Sequence, residues 1–272
     1  MPGLGGRGLV SHLVGRAVLE AAAGALAQRS IRLMPLKGIW LQERVYAADP
    51  AERPITDVDV LVPEGDYARA IELLCAAGFR LLSSDVWQAA LLAPGLPLPL
   101  DLHKRVFARA AFRMPTAELF ARGTRDRRRF GVELVLPDPL DVFAHLVGHF
   151  VKSRGGRDSA PFRLRDFARL AEGARLDPER TARHLMHCRL ARASRYVLSC
   201  VPDALDPSGF CAATLARLPR DPAGEVCAST MLRLRDRVGP RARLAALPGF
   251  VLEPSLGAAV VSLVMRAWDN VR

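Results

Sequence analysis

The chain has 272 residues, half of them hydrophobic and a quarter charged, which excludes intrinsic disorder as its overall state and leaves room for one or two domains. Its 39 basic residues against 28 acidic ones leave a formal charge of +11, which favours anionic partners such as nucleotides, nucleic acid or acidic surfaces. Lysine occurs only as Lys37, Lys104 and Lys152, so arginine supplies nearly all the positive charge.

Residues 9–28 put Leu9, Leu13, Ala17 and Ala21 on one stripe and predict an N-terminal helix. Arg7, Arg16 and Glu20 interrupt that apolar stretch, so it is not expected to be a signal peptide. A short apolar piece, 31–36, leads into Lys37-Gly38, and a helix is predicted over 39–46. The Pro- and Asp-containing segment 47–54 is a loop. Residues 55–62 (ITDVDVLV) are the clearest strand, β-branched and ended by Pro63. A helix is expected over 64–77 with Tyr67, Ile71 and Leu74 on its apolar side, closed by Gly78. Strands are expected at 79–82 and 86–92, then at 98–103 (LPLDLH), where Pro99 indicates an edge.

The basic run 122–129 (RGTRDRRR) is expected as a solvated loop or face, and 132–136 as a last short strand. From Pro139 onward the pattern is helical, over 140–151, 161–172, 178–200, 210–238 and 255–271. The uncharged run 254–265 is too short to span a bilayer. Five cysteines, at 75, 188, 200, 211 and 227, show no C-x-x-C or zinc spacing. They are expected as buried free thiols in a cytoplasmic, reducing setting, with no membrane partner. The fold class is therefore α+β, a small mixed-sheet domain at 1–136 followed by an all-helical domain at 137–272.

Function becomes readable at Asp57-Val58-Asp59. Strand side chains alternate, so both aspartates share a face about 7 Å apart and form half of a divalent-cation site. With 17 aspartates in the chain, about one D-x-D arises by chance, and an acidic strand face is also a device against aggregation. The context gives the pair its weight, because an apolar strand ends in it and like charges at that spacing call for a cation. Lys37-Gly38 stands between a strand and a helix, where glycine admits phosphate oxygens to backbone N–H groups and lysine adds a point charge. An ordinary helix start has the same look. Arg53 precedes the acid pair, and Asp101 lies on strand 98–103 with His103 on the same face and Lys104 following.

Together, L-K-G, a helix, a loop, R-P-x-x-D-x-D-x-L-V and a later L-D-L-H resemble the DNA polymerase β-type nucleotidyltransferase superfamily. The resemblance points to its branch of uncharacterised bacterial nucleotidyltransferases, related to abortive-infection toxin transferases. It covers about residues 33–107 and extends more loosely to 172. It implies a mixed sheet on which Asp57, Asp59 and Asp101 hold Mg²⁺ (or Mn²⁺) ions. These would activate an acceptor hydroxyl and neutralise an NTP donor during attack at the α-phosphorus. Lys37 and Gly38 match the family's phosphate loop, and Arg53 matches an arginine of the toxin branch. One departure is that Ile39 follows Gly38, where many members have a hydroxyl residue.

The helical half resembles the branch's second domain. There His145 and His149 share a helix face, as metal ligands or, more simply, as structural or substrate-lining histidines. Lys152, one turn on, is a candidate for the triphosphate, and His103, Lys104, His149 and Asp166 are candidates for lining a cleft. His184 and His187 read as packing. The implied activity is nucleotidyl transfer with pyrophosphate release, to tRNA or another nucleic acid, or to a small molecule or peptide. The alternatives are a non-catalytic nucleotide- or RNA-binding module on the same fold, which the Ile39 departure favours, and phosphoryl transfer.

Overall fold

The computed structural model describes residues 4–107, 112–152 and 160–222. The chain forms two compact units, Met1–Ala108 with Met114–Val142 and Arg109–Arg113 with Phe143–Arg272. In order, the first unit holds α1 (Leu4–Ala27), β1 (Met34–Pro35), α2 (Lys37–Arg44), β2 (Val58–Leu61), α3 (Tyr67–Ala76), β3 (Arg80–Ser84), β4 (Gln88–Leu92), β5 (Pro99–His103), α4 (Thr116–Arg122), β6 (Thr124–Asp126) and β7 (Leu134–Leu136). There follow α5 (Pro139–Lys152), α6 (Ala160–Gly173), α7 (Pro178–His187), α8 (Ala191–Ser199) and α9 (Phe210–Arg217). The molecule is α+β, and the described residues of its second unit are helical.

The main sheet runs β1-β2-β5-β4-β3. Only β2 and β5 pair in parallel, so the sheet is mixed. Alternation along the strands divides it into two faces. Val58, Val60, Ala89, Leu91, Leu100 and Leu102 are buried on one, where α1 packs on β2 and β5. Asp59, Asp101 and His103 lie on the other, with Ala90 opposite Asp101 and Gln88 opposite His103. In the second unit, Phe143 stacks edge-to-face on Phe167 and Phe210 at 5.3 and 5.7 Å between ring centroids.

Several expectations are corrected. The buried stripe of α1 is not Leu9, Leu13, Ala17 and Ala21; Leu9 and Leu13 are 49% and 58% exposed, while Val18, Leu19, Ala22, Ala23 and Leu26 are buried. Ala, Leu and Val occur on every side of this helix, so spacing alone could not choose its inner face. From Gly8 to Ala27 it is long and apolar enough to cross a membrane by length and composition. Strand β5 is central, not an edge. Pro99 is its first residue and pairs only with Leu92 of β4, while the ladder with β2 begins at Leu100. The missing proline N–H is therefore not called upon.

The helix expected over 178–200 is two helices, α7 and α8. Arg189 takes φ +58°, while the Leu190 N–H bonds to the Leu185 carbonyl and the Arg189 N–H to that of Met186. That is a Schellman ending with arginine in the position glycine usually fills. Within the basic run, 124–126 is a strand paired with β7, because the alternate Thr124 and Asp126 register against Leu136 and Leu134. Helix α4 went unpredicted. Cys75 is exposed, whereas Cys188 and Cys211 are buried. The helix expected over 210–238 ends at Arg217 in α9; its part beyond residue 222, the helix expected over 255–271 and Cys227 lie outside the described residues. The compact units divide inside α5; its first turn is tied into the first unit by Asp141, which takes both Nε and Nη2 of Arg122 at 2.9 Å.

Candidate active site

Backbone pairing brings the site together. Asp59 and Asp101 are direct partners across the parallel β2–β5 ladder, and His103 is partnered with Leu61 two residues along. Both aspartates and the histidine therefore project from the same face. The Leu36 N–H bonds to the Asp59 carbonyl at 2.9 Å, which prolongs the β1–β2 ladder and sets the next residue, Lys37, beside Asp59. Lys37 turns the chain into α2 with φ +38°, a left-handed value uncommon for a residue with a side chain. Its Nζ donates to Asp59 Oδ1 at 2.6 Å, and His103 Nε2 lies 2.9 Å from the same oxygen. Among the described residues, Asp59, Asp101 and His103 offer one ligand atom each, all within 4.8 Å of one another.

The carboxyls of this face are driven apart in acidity. Burial by itself pushes Asp59 up, yet the Lys37 charge and the hydrogen bonds from His103 and Lys37 hold it far below the usual carboxylate range. Asp101 is raised, first by burial and then by the negative charge of Asp59, against the opposing pull of His103 and Lys37. Asp57, in the segment leading into β2, is raised by burial and by the charges of Asp59 and Asp101. Two of the three acids thus sit with too little positive charge near them. Carboxylate oxygens backed by one imidazole are the donor set of a hard divalent cation, and this deficit fits one.

The remaining candidates divide between the two units. Gly38 is buried at the start of α2, and a Cβ there would stand 2.6 Å from Ile55 Cγ2. Gly15 of α1 meets Ile55 as closely, at 2.7 Å from Cδ1. The missing side chain of Gly38 is thus used for packing the segment that leads to Asp57. No side chain caps the N-terminus of α2. Ile39 is fully buried, so the position after Gly38 serves the core. Arg53 donates from Nη1 to the Pro54 carbonyl at 3.2 Å. Lys104 is half-buried, with its N–H on the Trp87 carbonyl. His149 lies 6.3 Å from His145, ring to ring and edge-to-face, and no third ligand joins them among the described residues. Asp166 is buried on α6, and Lys152 is the last residue of α5. His149, Lys152 and Asp166 belong to the second unit and are not brought together with the carboxylates within either unit.

A supporting network was not foreseen. Glu43 Oε1 takes Arg16 Nη1 at 3.1 Å and lies 3.5 Å from His12 Nε2. Gln42 Nε2 donates to the Arg53 carbonyl at 2.7 Å, and Arg129 Nη1 to the Glu43 carbonyl at 2.9 Å. These groups fix α2 and the loop before Asp57. The available signal was the pair Gln42-Glu43 directly after the apolar run 39–41 of α2, with His12 and Arg16 one turn apart on α1.

A family model described as uncharacterised nucleotidyltransferase matches residues 13–206. No curated protein matches the sequence. Among solved structures, the antibiotic-resistance factor ANT(2'')-Ia aligns over 64% of this chain and 90% of its own, at 12% identity and a TM-score of 0.48. An antigenic nucleotidyltransferase-like protein from Paracoccidioides brasiliensis aligns over 74% of this chain and 93% of its own, at 14% identity and a TM-score of 0.46.

Proposed function

The chain belongs to the family of uncharacterised nucleotidyltransferases and is a transferase enzyme, and we propose that it moves a nucleoside monophosphate from an NTP to an acceptor hydroxyl in a divalent-metal-dependent reaction. One observation carries this reading. Asp59 and Asp101, direct partners on β2 and β5, converge with His103 so that one ligand atom from each lies within 4.8 Å of the others.

Asp57, Asp59 and Asp101 would hold Mg²⁺ or Mn²⁺, with His103 orienting Asp59. Bound there, the metal would supply charge neutralisation for the triphosphate and a more acidic acceptor hydroxyl. Asp101, raised and partly open to solvent, is the group suited to take the hydroxyl proton. As the acceptor oxygen bonds to the α-phosphorus, the bond to pyrophosphate breaks and the proton passes to Asp101. Lys37 supplies a point charge to the triphosphate, beside the uncapped first turn of α2. The acceptor is a nucleic acid or a smaller hydroxyl compound, and its size is read by salt dependence.

The test is incubation with each α-labelled NTP, a cell extract and Mg²⁺ or Mn²⁺, followed by locating the label and measuring pyrophosphate. Label transfer that chelation abolishes, and that Asp57→Asn with Asp59→Asn abolishes while the fold persists, is expected. Label transfer from a γ-labelled NTP in a parallel incubation, with none from the α-labelled one, would make the reaction phosphoryl transfer. NTP binding without label transfer from any NTP would favour a binding module.

A further inference from the structure

The contact between Lys37 and Asp59 carries an inference that rests on the proposed metal site and concerns its regulation. Asp59 Oδ1 is already engaged twice, by Lys37 Nζ at 2.6 Å and by His103 Nε2 at 2.9 Å. Asp59 also belongs to the one group of converging ligand atoms among the described residues. A divalent cation approaching that group meets an ammonium on its most buried carboxylate. The backbone holds the ammonium there. Leu36 is bonded to the Asp59 carbonyl, and Lys37 is kept at φ +38°, a conformation that side-chain-bearing residues adopt only when their surroundings impose it.

We propose that Lys37 is the resident cation of the nucleotide-free site, occupying Asp59 until a triphosphate draws its ammonium away, so that metal and nucleotide bind cooperatively. Pulling Lys37 off Asp59 alone would leave a buried carboxylate uncompensated. A triphosphate offers the ammonium new anionic oxygens, and an arriving cation takes its place on Asp59. The exchange keeps every buried charge paired at each end. Asp101 and His103, whose ligand atoms converge with that of Asp59, are where the arriving cation first makes contact, and Asp59 is engaged last. Reciprocity then requires that nucleotide tighten metal binding by the same factor by which metal tightens nucleotide binding.

The test measures Mn²⁺ binding by electron paramagnetic resonance, with and without an α,β-methylene NTP analogue. It compares wild type, Lys37→Met, Lys37→Gly and Asp59→Asn. Glycine suits φ +38°, so Lys37→Gly guards against misfolding of the methionine variant. Without nucleotide, both lysine variants should bind Mn²⁺ about tenfold more tightly than wild type. The analogue should tighten Mn²⁺ binding by wild type about tenfold more than it tightens that of the variants. Equal or weaker Mn²⁺ binding by both nucleotide-free lysine variants would overturn the proposal while leaving the metal site standing. Absence of Mn²⁺ binding by every form, or binding by Asp59→Asn equal to wild type in the presence of the analogue, would overturn the metal site and the proposal with it.

Discussion

Asp59 on β2 and Asp101 on β5 are direct cross-strand partners, yet one carboxyl is held far down and the other pushed up. The difference comes from what each touches. Asp59 is 6% exposed and takes both the Lys37 ammonium and the His103 ring on Oδ1. Asp101 takes neither and feels the charge of Asp59.

The first prediction follows from those signs. Asp59 has a depressed folded pKa, so its stabilisation is present above the ordinary carboxylate value and is lost as pH falls through the folded one. Asp101 has a raised folded pKa, so folding bears a penalty that grows as pH rises from the ordinary value through the folded one. At pH 7, without metal, Asp59→Asn should lower stability by about 2–3 kcal/mol, since it strands a buried lysine. Asp101→Asn should raise it by about 1 kcal/mol, roughly 2–4 °C in Tm. Below about pH 3.5 the gain from Asp101→Asn should vanish. Thermal unfolding across pH reads both, and shifts of the same sign at pH 7 would refute the assignment of charges.

Gly38 should tolerate no side chain. Gly38→Ala brings a Cβ to 2.6 Å from Ile55 Cγ2, and overpacking costs about 1–3 kcal/mol, against a helix-propensity gain of up to about 1. Net destabilisation near 1–2 kcal/mol is expected by urea unfolding. Ile55→Ala should cost less in the Gly38→Ala background than in wild type, a coupling that a double-mutant cycle measures. Additive effects would mean that Ile55 does not occupy the space.

Arg122 is structural. Its two bonds to Asp141, a residue 2% exposed, tie α4 to the first turn of α5. Arg122→Ala should cost about 3 kcal/mol by taking two charged hydrogen bonds from a buried carboxylate, whereas Arg122→Met with Asp141→Leu should cost far less. Equal losses for the single and double variants would show that the pair itself, not the acid left behind, supplies the stability.

The basic run divides by role, which sharpens the test of a nucleic-acid acceptor. Arg122 and Arg129 are engaged with Asp141 and with the Glu43 carbonyl, and Arg125 faces Glu133 at 3.6 Å. Arg127 and Arg128 are exposed. If tRNA is the acceptor and these two meet its phosphates, Arg127→Ser with Arg128→Ser should reduce the slope of log affinity against log salt by roughly 2 without lowering Tm. Arg129→Ser should instead destabilise the fold. An unchanged slope would argue for an acceptor that does not meet this run.

Much of the site was legible before any fold. Asp57 and Asp59 in the apolar segment 55–62, Asp101 and His103 two apart on a second strand, and Lys37-Gly38 at a helix start are local patterns, and period-2 alternation sets the faces of Asp59, Asp101 and His103, while Asp57 precedes β2. The interleaved helices and strands of the first half, and the helical character of the described residues after Pro139, could likewise be read from periodicity, whereas the mixed sheet was implied by the family resemblance. What stayed hidden depended on partners distant in sequence. No spacing says that Leu36 will ladder onto Asp59 and so set Lys37 against its carboxylate, or that Leu61 will register with His103. Nor could α1, apolar all round, declare its buried side. Pro99 signalled an edge because the residue type, not its place at the first position of a central strand, is what a sequence displays. The sequence by itself determined which residues carry charge and which face of its own strand or helix each one takes, because those follow from bonded geometry. Tertiary structure alone decided which charges are paired and buried together, because cross-strand register and helix packing bring together residues tens of positions apart.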